Sequence, residues 1–224
     1  VVVLPRTTPS IKIDAVRALA AEIVLIGDGY DEAEREAFRL AAKERLTMIH
    51  PFDDPRVIAG QATVAAEVLR QCRHDVSAIF VPVGGGGLIA GVATYVKALR
   101  PDVRVFGVEP VDSDAMYRSL AAGHPVSIDQ PGLFADGVAV RRVGRHTFPL
   151  VRAGVDEIIR VTHRQICRAM KDVFEETRSI VEPAGALAVA GLEAHAPNTA
   201  WSSPAVAVLS GANMDFDRLA SVIE

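Results

Sequence analysis

Short apolar runs alternate with amphipathic stretches along almost the whole chain. Val1–Leu4 is a β-branched and aliphatic run that ends at Pro5, as is typical of a buried parallel strand. Between Val16 and Ile23 the apolar residues recur with the 3.6-residue period of a helix. This alternation predicts an α/β fold with mostly parallel, open sheets and flanking helices. Further strands are predicted at Ile23–Ile26, Thr47–His50, Ser77–Val83, Val103–Val108 and Ala205–Leu209.

Capping signals indicate where several of the helices begin. Asp31 with Glu34 has the spacing of a capping box and predicts a charged, amphipathic helix. Asp53-Asp54-Pro55 is a second start signal, and Thr162 with Gln165 is a second capping box. The pattern also predicts helices over Leu88–Leu99 and Ala115–Ala122, a loop over Gly123–Val143 and a helix of small residues after Pro183.

Composition narrows the classes of function. The chain has 224 residues, half of them hydrophobic, and a net charge of −4, which is ordinary for a globular protein. No basic stripe indicates nucleic acid, and no apolar run approaches the roughly 18 residues that a membrane span needs. The six histidines and two cysteines show no metal-ligand spacing, so no metal is expected. Cys72 and Cys167 are interpreted as buried, free thiols of a cytoplasmic protein.

The segment VPVGGGGLIAG places four consecutive glycines, Gly84–Gly87, between a predicted strand and a predicted helix. Main-chain N–H groups at a helix N-terminus, with no side chains in the way, form a binding site for a phosphate. The same glycines could instead allow a close crossing of strand and helix with no ligand. The spacing also fits the dinucleotide pattern GxGxxA, with Glu109 about 20 residues further on, so an NAD-dependent dehydrogenase is a competing interpretation.

Seven segments in this order resemble the threonine dehydratases (threonine ammonia-lyases) of the fold-type II pyridoxal-phosphate enzymes, which include serine racemase and serine dehydratase. They are TPSIKIDAVRALAAEIVL, DDPRVIAGQATVAAEVL, IFVPVGGGGLIAGVA, GVEPVDSDAM, GLFADGVAVRRVG, RSIVEPAGALAVAG and LSGANMDF. GLFADGVAV together with AGHPV is similar to the biosynthetic type. The resemblance implies a two-domain α/β fold, pyridoxal 5′-phosphate as the cofactor and a homo-oligomer, a dimer or tetramer, acting on a small amino acid.

The resemblance also implies roles for individual residues. The loop that holds the cofactor phosphate corresponds to Gly84, Gly85, Gly86, Gly87 and Leu88. Ser210 matches the hydroxyl that meets the pyridine nitrogen, and Gly211 follows it in SGAN; from the residues alone, Ser210 could equally be a helix N-cap. Glu182 in VEPAG is expected near the cofactor ring, or is only a carboxylate at a helix start. Asp136 and Gly137 are expected as a turn beside the active-site mouth.

This sequence departs from the family pattern in two respects. A metal-binding carboxylate six positions after Glu109 is replaced by Ala115, and Asp114 lies one position off, so we expect no essential metal. The family's Schiff-base lysine segment, similar to SFKxRGA, and its SxGNHxQ loop do not occur here. Lysine is found only at Lys12, Lys43, Lys97 and Lys171, and none of these fits the nucleophile by motif or position.

In the family both missing segments precede the strand at Val1–Leu4, and a regulatory domain would follow Glu224. The chain is therefore expected to be a catalytic-domain fragment. Residues 1–50 would be the remainder of the smaller domain, and residues 51–224 would form most of the larger, cofactor-phosphate-binding domain. Alone, the fragment is expected to bind the cofactor weakly and not to turn over.

For the parent enzyme the resemblance implies dehydration and deamination of L-threonine to 2-oxobutanoate and ammonia, the first step towards isoleucine. A serine/threonine dehydratase or a serine racemase of the same family is the alternative within this class. Outside it, an NAD-dependent dehydrogenase and a non-catalytic phosphate-binding or assembly module remain open.

Overall fold

The computed structural model describes residues 1–72, 74–195, 203–214 and 216–219. The chain divides into two compact units. One consists of residues 1–49 together with the residues after position 212, and the other of residues 50–212.

In the first unit, two short strands pair in parallel, with Val2 opposite Ile23 and Leu4 opposite Leu25. Its elements are β1 (Val2–Leu4), α1 (Ser10–Ala18), β2 (Ile23–Leu25), α2 (Tyr30–Glu44) and a 3₁₀ turn at Phe216–Leu219.

The predicted capping box of Asp31 with Glu34 is wrong. Helix α2 begins at Tyr30, and the carboxylate that reaches back belongs to Glu32, which accepts from the N–H groups of Asp28 (2.7 Å) and Gly29 (3.3 Å). In a capping box the acid is the third residue of the helix. Because α2 begins at Tyr30, this third residue is Glu32.

The strand predicted over Thr47–His50 is also wrong, because residues 46–50 have no regular structure. Ile49 is 76% exposed, so this short run lacks the burial that would favour a strand.

The second unit is built on a four-stranded sheet in which every pair of neighbours is parallel, in the order β5-β4-β3-β6. Phe80 on β3 lies opposite Phe106 on β4 and Ala207 on β6. The mostly parallel α/β fold is therefore confirmed. Its elements are α3 (Pro55–Gln71), β3 (Ala78–Pro82), α4 (Gly87–Leu99), β4 (Arg104–Pro110), α5 (Ala115–Ala122), a 3₁₀ turn (Asp136–Val138), α6 (Thr147–Gly154), β5 (Glu157–Val161), α7 (His163–Thr177), α8 (Pro183–His195) and β6 (Ala205–Ala207).

The burial of β3 matches its position inside this sheet. All five of its residues are buried, as expected for a strand with neighbours on both sides and helices on both faces. By contrast β5, for which no strand was predicted, lies at the sheet edge and has only two buried residues among five. The predicted capping box of Thr162 with Gln165 is confirmed at the start of α7, and Asp54 caps α3 by accepting from the N–H of Arg56.

The prediction that both cysteines are buried is wrong. Cys72 is exposed and Cys167 is half-buried, and neither forms a disulfide. Within the described ranges, no helix is long and apolar enough to cross a lipid bilayer.

Candidate functional site

The candidate site residues gather at the carboxyl edge of the four-stranded sheet. The glycine loop, residues 84–87, follows β3, and Ser210 and Gly211 follow β6, which is paired with β3. Ligands of open α/β sheets bind at this edge. The topology thus brings together two segments that are far apart in sequence.

The glycine loop presents main-chain donors without acceptors. No residue in the described ranges accepts a hydrogen bond from the N–H groups of residues 84–89. A helix start ordinarily leaves four such groups, and a buried donor without a partner costs about 1–3 kcal/mol. Gly85, Gly86, Gly87 and Ile89 are buried, while Leu88 is half-buried. An anion with several oxygen atoms would satisfy these donors together.

Close packing also requires the glycines. A Cβ on Gly85 would overlap the ring of Phe52, and one on Gly84 would lie 3.0 Å from the Cα of Val138. Gly86 has a φ of +96° and caps the N-terminus of α4. Only glycine adopts that conformation without strain. The close-crossing interpretation therefore accounts for the missing side chains, whereas it leaves the donors unexplained.

Glu182 precedes α8, and its N–H donates to the carbonyl of Gly211 (3.1 Å). A Cβ on Gly211 would overlap the Glu182 carboxylate, and one on Gly137 would lie 3.5 Å from Glu182 Oε1. The next residue, Val138, lies against Gly84. The turn at Asp136–Val138 thus connects the glycine loop with Glu182 and Gly211.

Ser210 is exposed, and its hydroxyl makes no hydrogen bond to any residue that the structure describes. Residues 211–214 carry no helix, so the alternative of an N-cap at Ser210 is wrong. The hydroxyl is therefore available at the edge of the site.

Glu109, at the end of β4, has a structural task. Its completely buried carboxylate accepts from the N–H groups of Met116 (2.9 Å) and Tyr117 (2.8 Å), in the first turn of α5. Burial raises the pKa of Glu109 to about 8, although the two N–H donors act to lower it. Both oxygens are engaged, so the carboxylate is not available as a ribose acceptor.

The neighbouring acid is also occupied. Asp114 pairs with Arg118 (2.6 Å) and with Arg160 (3.2 Å). The described residues contain no group of three or more histidine, cysteine, aspartate or glutamate side chains placed to hold a metal ion. That the reaction needs no metal stays a prediction.

Two of the lysines form ion pairs away from the glycine loop. Lys97 donates to the carbonyl of Val103 (2.8 Å) and pairs with Asp156 (2.8 Å) near the far end of α4. Lys171 pairs with Glu175 on α7 (3.6 Å).

Sequence reasoning missed the residues behind the glycine loop. Phe52 packs against Gly85 and Gly87, and the hydroxyl of Thr147 donates to the carbonyl of Gly85 (2.7 Å). Asp53, expected only as part of a helix start, accepts from the N–H groups at the beginning of α6. These partners lie 62 and 93 positions apart, so no local signal could have revealed them.

Residues 1–211 match the model of a family described as pyridoxal-phosphate dependent enzyme. The chain belongs to this family. The dehydrogenase interpretation is therefore wrong, in agreement with the engaged carboxylate of Glu109.

Individual relatives agree with this assignment. The chain is 50% identical to a biosynthetic L-threonine dehydratase of Burkholderia multivorans, over all of this chain and 45% of that protein. A solved structure of processed threonine deaminase isoform 2 from Solanum lycopersicum is 47% identical, with a TM-score of 0.91 over 97% of this chain and 64% of that one. Serine racemase from Dictyostelium discoideum is 33% identical, with a TM-score of 0.83 over 95% of this chain and 68% of that one. The chain spans less than half the length of the curated relatives that it matches.

Proposed function

We propose that the protein containing this chain is a pyridoxal-phosphate-dependent threonine ammonia-lyase that converts L-threonine to 2-oxobutanoate and ammonia. The observation that carries this proposal is the 50% identity to a biosynthetic threonine dehydratase over the whole of the chain. A serine racemase is the second candidate, since a structure of that enzyme has the same fold at lower identity.

In this proposal the glycine loop binds the cofactor phosphate. The donors without acceptors at residues 84–89 support this role, because a phosphate accepts several charge-assisted hydrogen bonds at once. Their burial favours a tightly held anion over a solvated one. The residues assigned to the phosphate are Gly84, Gly85, Gly86, Gly87 and Leu88.

The segments beside the loop bind the cofactor ring. Ser210 offers a neutral hydroxyl to the pyridine nitrogen, and Gly211 and Glu182 lie beside it. When bound, the cofactor would withdraw electron density from the substrate Cα and so stabilise the electron pair left by loss of the α-proton, the pair that expels the β-hydroxyl. A hydroxyl partner does not favour a protonated ring, so it moderates this withdrawal and favours elimination over transamination.

The organisation of the parent enzyme is part of the proposal. We assign residues 1–49, together with the residues after position 212, to a smaller domain, and residues 50–212, instead of the expected 51–224, to a larger, cofactor-binding domain. We also propose a homo-oligomer in the cytoplasm, where two free cysteines fit a reducing environment.

The test uses the full gene product, prepared without cofactor. Adding pyridoxal phosphate and L-threonine should yield 2-oxobutanoate, with a lower yield of pyruvate from L-serine. Formation of D-serine without 2-oxobutanoate would favour the racemase, and cofactor binding with neither product would favour a non-catalytic module. The absence of cofactor binding would contradict the proposal altogether.

A further inference from the structure

The carbonyl of Gly85 is held by two donors from a distant part of the chain. The Thr147 hydroxyl donates to it at 2.7 Å, and the N–H of Gly144 donates at 3.1 Å. Thr147 is fully buried, and its hydroxyl lies closer to this oxygen than to its other acceptor, the carbonyl of Gly144 (3.3 Å). Two hydrogen bonds on one oxygen restrict the rotation of the peptide that joins Gly85 to Gly86.

The orientation of this peptide sets the direction of one donor in the glycine loop. In a trans peptide the carbonyl oxygen and the following N–H point to opposite sides, and the structure has no cis peptide bond among the described residues. Holding the Gly85 oxygen towards Thr147 therefore directs the N–H of Gly86 away from Thr147. That N–H is one of the donors without an acceptor in the described ranges.

Thr147 is itself fixed by Asp53. One carboxylate oxygen accepts from the N–H groups of His146 (2.7 Å) and Thr147 (3.2 Å), and the other accepts from Arg145 (2.9 Å). A carboxylate at a helix N-terminus is favourable, and here it fixes the start of α6. The segment 144–147 is thus clamped between Asp53 and the Gly85 carbonyl.

We propose that Thr147 and Asp53 are positioning residues that orient the glycine-loop amides towards the cofactor phosphate, although neither needs to touch the cofactor. This inference rests on the proposed function, because it requires that the loop binds the phosphate. It assigns a binding role to two residues outside the glycine loop, and it predicts that their loss weakens recognition of the phosphate group specifically.

The test compares two ligands that differ only in the phosphate. The full gene product without cofactor is titrated with pyridoxal phosphate and with pyridoxal, and the ratio of the two dissociation constants measures the phosphate contribution. Thr147→Val removes the hydroxyl at nearly constant volume. We expect about tenfold weaker binding of pyridoxal phosphate, the loss of about one hydrogen bond, with pyridoxal binding unchanged. Thr147→Ser keeps the hydroxyl and should restore the ratio to within about threefold of the wild type.

The outcomes separate this inference from the proposed function. A wild-type protein that binds both ligands equally would contradict the phosphate role of the loop. A wild-type preference that Thr147→Val leaves intact, or a variant that loses both ligands equally, would overturn the positioning role. If Thr147→Val does not fold, as judged by thermal unfolding, Asp53→Asn is measured in its place. A reduced ratio in Asp53→Asn supports the inference, and an unchanged ratio overturns it.

Discussion

The loops after two neighbouring strands differ in how they are held. Residues 83–87 after β3 are almost entirely buried and lie against Phe52, Val138 and Thr147. Residues 208–212 after β6 are half-buried or exposed, and their main-chain contact to Glu182 runs through Gly211.

This difference between the loops matches the different requirements of the cofactor phosphate and the cofactor ring. A phosphate bound by several amides gains most when every donor is already oriented, because none has to be ordered on binding. A ring that changes its bonding during a reaction needs contacts that can adjust. We therefore expect substitutions around the first loop to affect stability and phosphate binding together, and those in the second to act mainly on the ring.

The largest change in stability is expected at Glu109. Its carboxyl group accepts a hydrogen bond from the N–H of Met116. The side chain of Met116 lies against the glycine loop, since its Cε would be 2.7 Å from a Cβ on Gly86. The pKa of this carboxyl group is raised in the folded protein, so the folded state binds more protons than the unfolded state above pH 4.5. Stability should consequently fall as the pH rises from about 5 to about 8, by up to a few kcal/mol, and change little above that.

Glu109→Gln should remove this part of the pH dependence, since the amide does not titrate. Urea unfolding midpoints of both proteins between pH 5 and pH 9 provide the measurement. Parallel pH profiles for the two proteins would contradict the prediction.

The second-largest loss of stability is expected for a substitution at Gly85. In Gly85→Ala the new methyl group must displace the ring of Phe52, which should lower the unfolding free energy by about 1–3 kcal/mol. Pyridoxal phosphate binding should weaken more than tenfold, as measured by absorbance titration.

Gly60→Ala is the matched control. Gly60 lies on the exposed side of α3, and a Cβ at this position would have nothing within 4 Å, so the substitution should stabilise by about 0.5–1 kcal/mol. Equal destabilisation by both substitutions would show that glycine is not specifically required at Gly85.

Gly211→Ala tests the second loop by the same chemical change. Its methyl group meets the end of the Glu182 side chain, which can rotate away, so the loss of stability should stay below about 1 kcal/mol. Because the change lies near the ring, pyridoxal and pyridoxal phosphate should weaken by similar factors. A loss of stability as large as in Gly85→Ala would remove the contrast between the loops.

The smallest effect on stability is expected for Ser210→Ala. The residue is exposed, so the unfolding free energy should change by less than about 0.5 kcal/mol. The absorption spectrum of the bound cofactor and the rate of 2-oxobutanoate formation should nevertheless change. An unaltered spectrum with full turnover would argue against Ser210 as the partner of the pyridine nitrogen.

The features that could be predicted from sequence are those encoded locally. The strand, four glycines and helix around Gly84–Gly87 lie within a short segment, and so does the capping box of Thr162 with Gln165. Helix α6 has eight residues, and its cap is Asp53, 93 positions before His146. No window of neighbouring residues contains that signal.

The errors have similar causes. The edge strand β5 was missed because only Ile158 and Val161 among its five residues are buried, and the run at Thr47–His50 has strand-like composition without a buried neighbour. The site residues, too, could be predicted only where the signal is local. The glycine loop was found, whereas Thr147 depends on a contact across 62 positions.

The order of the strands also has a consequence for biosynthesis. In chain order, β3 is the first strand of the four-stranded sheet and β6 is the last, and the two are paired. The hydroxyl of Ser77 donates a hydrogen bond to the carbonyl of Ser203, 126 positions further along the chain. At about 5–20 residues per second, a ribosome needs on the order of 6–25 seconds to make the intervening chain. During that interval one edge of β3 has no partner, so nascent molecules are exposed to wrong strand pairing, and chaperones would act most usefully before β6 emerges.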